Sequence, residues 1–342
     1  MLVNHIRKEV TQTAEDEVAS NLYALAEIGR NREEKLLSQY ELNKELHGKY
    51  TDGRDTLANR KQMLRKLRQG MTMEEKLSWL DRVCASFIMT SKVEPLISLL
   101  DTIIDTGDVL QNLRVVGKAR SGKTWATKYY SAITNYAMGY KKVLHLEVKE
   151  SSRSLKPLYQ RGCASLGYPV RGQVSEAADR FVVACLRNNV KMLILDEAAN
   201  INTANKRLAL KWLYNELQIP IIAVTADPDF FGTDEQLAGR FEPKYTLNDY
   251  AIKELEEIVK TIESYLPFPQ PSYLSLDKLE EGSGETISGP LMQIWKNTGG
   301  RIGKVKLLIK TAAIKALSRD GENITMKDLY EAWDLLCMDA KY

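Results

Sequence analysis

The chain has 342 residues, enough for two or three structural units, and its 44% hydrophobic and 27% charged content is that of an ordinary globular protein with a real core. A formal net charge of +3 neither demands nor excludes nucleic acid, so local clusters of cations decide that question. Composition excludes three classes: no apolar run nears the ~18 residues of a membrane span, the four cysteines (Cys84, Cys163, Cys185, Cys337) form no C-x-x-C pair, and the three histidines (His5, His47, His145) are too scattered for a metal site.

The first residues, Met1 to Lys8, carry charge too early for a secretory apolar core, so a cytoplasmic location without membrane association is expected. Residues 1–80 read as charged helices, with Val18, Leu22, Leu25 and Ala26 on one face and Leu36, Leu37 and Tyr40 on another. Gly48, Asp52 and Gly53 mark a break. From Arg54 to Arg68 runs a basic amphipathic segment. Arg54, Arg60, Lys61, Arg65, Lys66 and Arg68 face a single acid, Asp55, and Leu57, Leu64 and Leu67 supply the apolar side. It reads either as a solvated helix docked on the core or as an arm for nucleic acid or a partner.

From about Phe87 the pattern becomes α/β. Strands are predicted at 113–116, 142–148, 191–195 and 220–225, separated by helices at 124–138, 155–166, 174–188 and 203–217. Such alternation implies a parallel sheet with right-handed crossovers, which a short strand near 244–247 would close. After Asn248 the chain reads as helical to its end, interrupted by Pro267, Pro269 and Pro271 and then by Gly282-Ser283-Gly284. The expected organisation is a helical N-terminal extension (1–84), an α/β core (85–248) and a helical lid (249–342).

Between the first strand and its helix lies Gly117-Lys118-Ala119-Arg120-Ser121-Gly122-Lys123-Thr124, which matches the P-loop pattern G-x-x-x-x-G-K-[ST]. A glycine-rich turn in that position closes backbone N–H groups around phosphate oxygens, with the positive end of the helix dipole behind them. Lys123 is expected to reach the β- and γ-phosphates and the Thr124 hydroxyl to ligate Mg²⁺. Trp125 completes the nucleotide-contacting stretch. Downstream, Lys191-Met192-Leu193-Ile194-Leu195-Asp196-Glu197 is an apolar strand ending in two acids, as a Walker B requires. Asp196 would hold the Mg²⁺ of bound ATP through water, and Glu197 would orient or deprotonate the attacking water.

Three further groups fit an ATPase. Strand Ile221–Val224 ends in Thr225, a residue type able to bond the attacking water or the γ-phosphate (sensor 1). Gln236-Leu237-Ala238-Gly239-Arg240-Phe241 places Arg240 before the next strand, where an arginine finger would reach a neighbouring subunit's γ-phosphate. Thr298-Gly299-Gly300-Arg301-Ile302-Gly303-Lys304 opens a lid helix, and either Arg301 or Lys304 would sense the γ-phosphate (sensor 2).

Together these segments resemble the AAA+ regulators of DNA transposition, the group containing TnsC, TniB and MuB. The similarity covers roughly 85–342 and is closest to the short TnsC proteins of CRISPR-associated transposons. Arg114-Val115-Val116-Gly117, Ser121-Gly122-Lys123-Thr124, Met192 to Ala198, Glu235-Gln236-Leu237 with Arg240-Phe241, and the lid stretch Ala312 to Arg319 carry it. The resemblance implies an AAA+ core that assembles on duplex DNA with ATP and Mg²⁺ as a homo-oligomeric ring or helical filament. It would mark the target, act with a target-selection protein, recruit or activate the transposase, and disassemble on hydrolysis. The relatives' DNA-tracking segment corresponds to Lys156 and Gln173 here, with Lys149, Arg153 and Arg171 adding positive charge. Two features depart from the family: the N-terminal region is longer than in the shortest relatives, and Ala198-Ala199 stands where many have another acid. Two other readings compete. An initiator-type ATPase would carry a winged-helix domain, for which little chain follows the lid. A nucleotide-switched signalling scaffold would oligomerise without regard to DNA.

Overall fold

The computed structural model describes residues 68–106, 112–138, 141–168, 172–231, 234–276, 278–280 and 286–338. The helices read before residue 68, nearly all of the basic segment 54–68, Arg171 and Gly282-Ser283-Gly284 lie outside these residues. The described chain divides into two compact units. One comprises Pro95–Gly117 and Lys123–Thr246. The other comprises 68–94, Lys118–Gly122 and 247–338.

The first unit is a five-stranded parallel sheet with flanking helices. Its strands are β1 (Leu113–Val116), β2 (Val143–Glu147), β3 (Met192–Asp196), β4 (Ile221–Thr225) and β5 (Lys244–Thr246), in the spatial order β2-β3-β4-β1-β5. The register pairs Val116 with Thr225 and Glu147 with Asp196. β3 and β4 are buried at every position, as their unbroken apolar sequences require of strands covered on both faces. β4 thus lies between the strand that leads into the P-loop and the strand that ends in Asp196.

In chain order the helices of this unit are α2 (Glu94–Thr106), α3 (Lys123–Met138), α4 (Lys156–Ser165), α5 (Val174–Arg187), α6 (Ala204–Leu217) and α7 (Glu235–Arg240); α1 (Met73–Ala85) belongs to the second unit. The apolar faces of α4 to α7 meet around Tyr159, Phe181, Phe231 and Phe241, all fully buried. Tyr159 and Phe181 lie with ring centroids 5.8 Å apart, within the usual range for an aromatic pair. Gly162 on α4 makes this approach possible, because a Cβ there would meet Phe181 Cε2 at 2.1 Å. His145 on β2 shares a hydrogen bond with Thr127 Oγ1 at 3.0 Å. Burial, helped by the field of Lys128, pushes its pKa down to about 3, so the imidazole is neutral at physiological pH. The four cysteines are free, and burial lifts the Cys84 and Cys163 thiols to about 11.

The second unit is mainly helical: α1, α8 (Ile252–Ser264), α9 (Pro290–Thr298), α10 (Ile302–Ser318) and α11 (Met326–Met338) pack around Leu80, Leu255, Val259, Ile294, Val305 and Ile309. Thr72 and Glu75 form a reciprocal capping box that starts α1. Arg319 grips Asp328 through Nε at 2.9 Å and Nη2 at 2.5 Å, and Thr325 donates to the same carboxylate, tying α10 to α11. Glu263 accepts the backbone N–H groups of Tyr273 (2.5 Å) and Leu274 (3.1 Å), which fixes the proline-rich turn after α8. Contrary to the all-helical reading, β6 (Lys278–Glu280) and β7 (Thr286–Ser288) form an antiparallel hairpin here. Among the described residues no helix is long and apolar enough to cross a membrane.

Candidate nucleotide site

The P-loop leaves β1 and enters α3, as its spacing predicts. Gly117 donates its N–H to Thr225 O at 3.3 Å, pinning the start of the loop to the end of β4. Lys123, the first residue of α3, is buried, and its Nζ donates to Gly117 O at 2.6 Å, so the ammonium closes the loop on itself. Burial lowers the Lys123 pKa, while Glu197 and Asp196 oppose that shift. The loop backbone passes through left-handed conformations at Arg120 (φ 65°) and Gly122 (φ 103°). Such φ values turn successive N–H groups inward, the arrangement of an anion-binding nest. Ser121 Oγ is buried with no hydrogen-bond partner among the described residues, an orphan donor that a phosphate oxygen would satisfy.

The end of β3 faces the start of α3. Thr124 Oγ1 donates to Asp196 Oδ1 at 3.2 Å, which brings together the two oxygens expected to serve a divalent ion. Among the described residues no cluster of three or more His, Cys or acidic side chains forms. A hydroxyl and one carboxylate beside phosphates suit Mg²⁺, which keeps several waters and seldom has an all-protein cage. Glu197 follows, exposed, with φ 53° and ψ 43°. A left-handed backbone is costly for a residue with a Cβ and collects at functional sites. Thr225 lies at the same edge, 1% exposed. Its hydroxyl donates to Asp227 O and accepts from Asp227 N, both at 3.0 Å, so it is engaged in the turn after β4. Trp125 is 46% exposed on α3.

In the second unit, the loop tip Lys118–Gly122 meets the start of α10. Gly303 N donates to Arg120 O at 3.0 Å, and a Cβ on Gly303 would lie 3.0 Å from that carbonyl. Asp249 sits between two cations of the predicted set: Lys118 Nζ is 2.6 Å from Oδ2 and Arg301 Nε is 3.8 Å from Oδ1. The backbone carbonyl of Asp249 accepts from Lys92 Nζ at 2.7 Å. Arg301 is the N-cap of α10, whereas Lys304, one turn in, makes no ion pair among the described residues. Sequence reasoning passed over Asp249, because a lone acid before the lid carries no motif.

Arg240 lies elsewhere. Asn112, the residue before β1, donates from Nδ2 to Arg240 O at 3.2 Å and accepts at Oδ1 from Ile221 N, the first residue of β4, at 2.8 Å. Arg240 therefore stands at the N-terminal edge of the sheet, opposite the edge that carries Gly117, Asp196 and Thr225. Its guanidinium rests 4.6 Å from the centroid of the Tyr214 ring, and Nη1 is buried without a hydrogen-bond partner among the described residues.

Of the cations after β2, Lys149 and Arg153 are exposed and Lys156 is half-buried at the first turn of α4. Gln173 is the N-cap of α5, exposed, with no side-chain capping bond. The segment is shaped locally, since Ser152 Oγ donates to Lys149 O at 3.0 Å and Leu155 is buried.

Three comparisons bear on this arrangement. Residues 80–250 match the family described as bacterial TniB protein. No curated protein matches the chain. Among solved structures, Cdc6p from Pyrobaculum aerophilum superposes with a TM-score of 0.53 at 12% identity, covering 74% of this chain and 70% of that one. A chain of the Drosophila ORC, solved bound to DNA, gives 0.52 at 15% identity, with 77% of this chain and 66% of that one covered. At such identities the likeness is one of fold. With half of the chain matched and the P-loop, the acidic strand end and the strand between them in place, the chain belongs to the TniB family of AAA+ transposition regulators.

Proposed function

We propose that this protein is an ATP-hydrolysing, DNA-binding regulator of transposition that assembles from its own copies on duplex DNA, marks the target and recruits or activates a transposase alongside a target-selection protein. The observation that carries the reading is the Thr124–Asp196 contact, with Glu197 one residue on, in a chain of this family. Bound ATP supplies a γ-phosphoryl group that water attacks. Lys123 Nζ exchanges the Gly117 carbonyl for phosphate oxygens, and Ser121 Oγ and the loop N–H groups bind the same chain of phosphates. Thr124 would ligate Mg²⁺ and Asp196 would hold it through water, and Glu197 would orient or deprotonate the attacking water. Arg301 or Lys304 serves as sensor 2, and Thr225 as sensor 1. Arg240 stands at the wrong edge to serve its own nucleotide, so it acts on the nucleotide of a neighbouring copy, where a guanidinium offsets charge developing in the transition state.

Lys156 and Gln173, at the positions that match the DNA-tracking segment of the short TnsC proteins, form the DNA-contacting set, and Lys149, Arg153 and Arg171 add positive charge to it. A subunit that meets only a few phosphates binds weakly and in a salt-sensitive way. Assembly then supplies avidity along the duplex. The test is co-sedimentation and negative-stain imaging with duplex DNA under ATP, a non-hydrolysable analogue, ADP or no nucleotide, with Lys123→Ala as control. Rings or filaments on DNA that need ATP support the reading. Oligomers that need ATP but ignore DNA replace it with a signalling scaffold, and tight DNA binding by an ATP-free monomer contradicts it.

A further inference from the structure

The turn that carries Glu197 is stitched to the segment after β2 through one residue. Val148 gives both of its backbone groups to that turn: its N–H donates to Asp196 O at 2.8 Å, and its carbonyl accepts from Asn200 Nδ2 at 2.8 Å. Asn200 N in turn donates to Glu197 O at 3.0 Å. The ring Asp196–Val148–Asn200 therefore brackets Glu197 on both sides. Glu197 needs such a frame, because a left-handed backbone is unfavourable for a residue with a Cβ.

Behind the ring stands a buried cation with no role in the site as described above. Lys206 on α6 is 2% exposed, and its Nζ donates to Asn200 O at 2.8 Å. That carbonyl is its single side-chain acceptor among the described residues. A buried ammonium is costly unless bonded, so Lys206 is strongly held to Asn200 and holds Asn200 in turn. On the other side, Val148 is 1% exposed and cannot shift alone, and Lys149 follows it directly at the surface. A displacement of the 149–156 segment must pull on Val148, and through it on both anchors of Glu197.

We propose that Asn200 and Lys206 are positioning residues for Glu197 and make its placement depend on what the 149–156 segment binds. The coupling rests on the ATPase and DNA reading above. It predicts that hydrolysis, and not ATP binding, responds to DNA through Asn200.

The test is steady-state ATP turnover by the full chain over a range of ATP concentrations, with and without duplex DNA. Asn200→Asp keeps size but removes the donor to Val148 O. Lys206→Met removes the cation at similar length and serves as the second variant if the first fails to fold. Asn202→Asp, on the same turn, controls for an added negative charge near Glu197. Expected are a kcat at least tenfold lower with KM within twofold for both variants, a change in kcat on adding DNA reduced to less than twofold, and no effect in the control. The proposal is overturned if both variants keep the wild-type kcat and DNA response. It is also overturned if KM, nucleotide affinity and the thermal midpoint deteriorate together with kcat, which marks a merely structural role. A wild-type kcat indifferent to DNA would sink the DNA half of the coupling and the reading beneath it. The split between kcat and KM would still decide whether Asn200 positions Glu197.

Discussion

The two edges of the parallel sheet are built on different plans. At the C-terminal edge, Gly117, Lys123, Thr124, Asp196 and Glu197 are already assembled, each fixed by a hydrogen bond to another or to the turn beside it. At the N-terminal edge, Arg240 lies on Tyr214, held at its backbone by Asn112 and without an ion pair among the described residues. The strands that separate the edges are four or five residues long, about 13–17 Å. On the proposed reading, one copy carries the groups that would bind nucleotide and activate water, and holds Arg240 at the edge where another copy could use it. On that reading catalysis would be complete only at a junction between copies, which the proposed assembly on DNA would supply.

The largest expected effects lie at the preassembled edge. Glu197→Gln is expected to lower ATP turnover by about 10²–10⁴, the usual weight of a general base, while a fluorescent ATP analogue still binds. Retained turnover would remove Glu197 from its role. Lys123→Ala is expected to weaken ATP by roughly 100-fold, the scale of 2–5 kcal/mol for losing a buried charged partner, measurable by calorimetric titration. Lys156→Ala is expected to weaken duplex binding about severalfold and to reduce the slope of log affinity against log salt by about one. An unchanged slope would mean that Lys156 meets no phosphate.

The last effect bears on stability and not on turnover, and concerns His145, which shares a hydrogen bond with Thr127 on the P-loop helix. Its folded pKa of about 3 lies below the ordinary 6.5, so the unfolded chain binds the extra proton between those values. Stability from this group is whole above pH 6.5 and falls as pH drops toward 3, by on the order of a few kcal/mol at the end of that range. Urea midpoints at pH 7 and pH 4 should fall less for His145→Gln than for the wild type.

Much of this arrangement was legible in the sequence, and the rest was hidden for definite reasons. The apolar runs 113–116, 191–195 and 220–225 announced buried strands, and the P-loop and Asp196-Glu197 fell at their ends, so fold and nucleotide site came from the same pattern. The lid hairpin escaped because Lys278-Leu279-Glu280 and Thr286-Ile287-Ser288 are too short to set an alternation against the helices around them. Asp249 escaped because its partners, Lys118 and Arg301, are distant in the chain and meet it only through the fold. Lys206 did leave a signal: it shares the helical phase of Leu210, Leu213 and Leu217, all buried with it on α6. A lysine on that face is a polar group that must find an acceptor, which Asn200 provides.

The most direct test of the division between edges is a mixing experiment on DNA. Arg240→Ala keeps Glu197 but lacks the cation, and Glu197→Gln keeps the cation but lacks the base. Each alone should bind ATP, assemble and hydrolyse almost nothing. If Arg240 works across the junction, an equal mixture should recover roughly a quarter of the wild-type rate, since random assembly places a sound base beside a sound arginine at one junction in about four. A mixture that assembles yet hydrolyses no faster than the sum of its two components would contradict a site shared between copies.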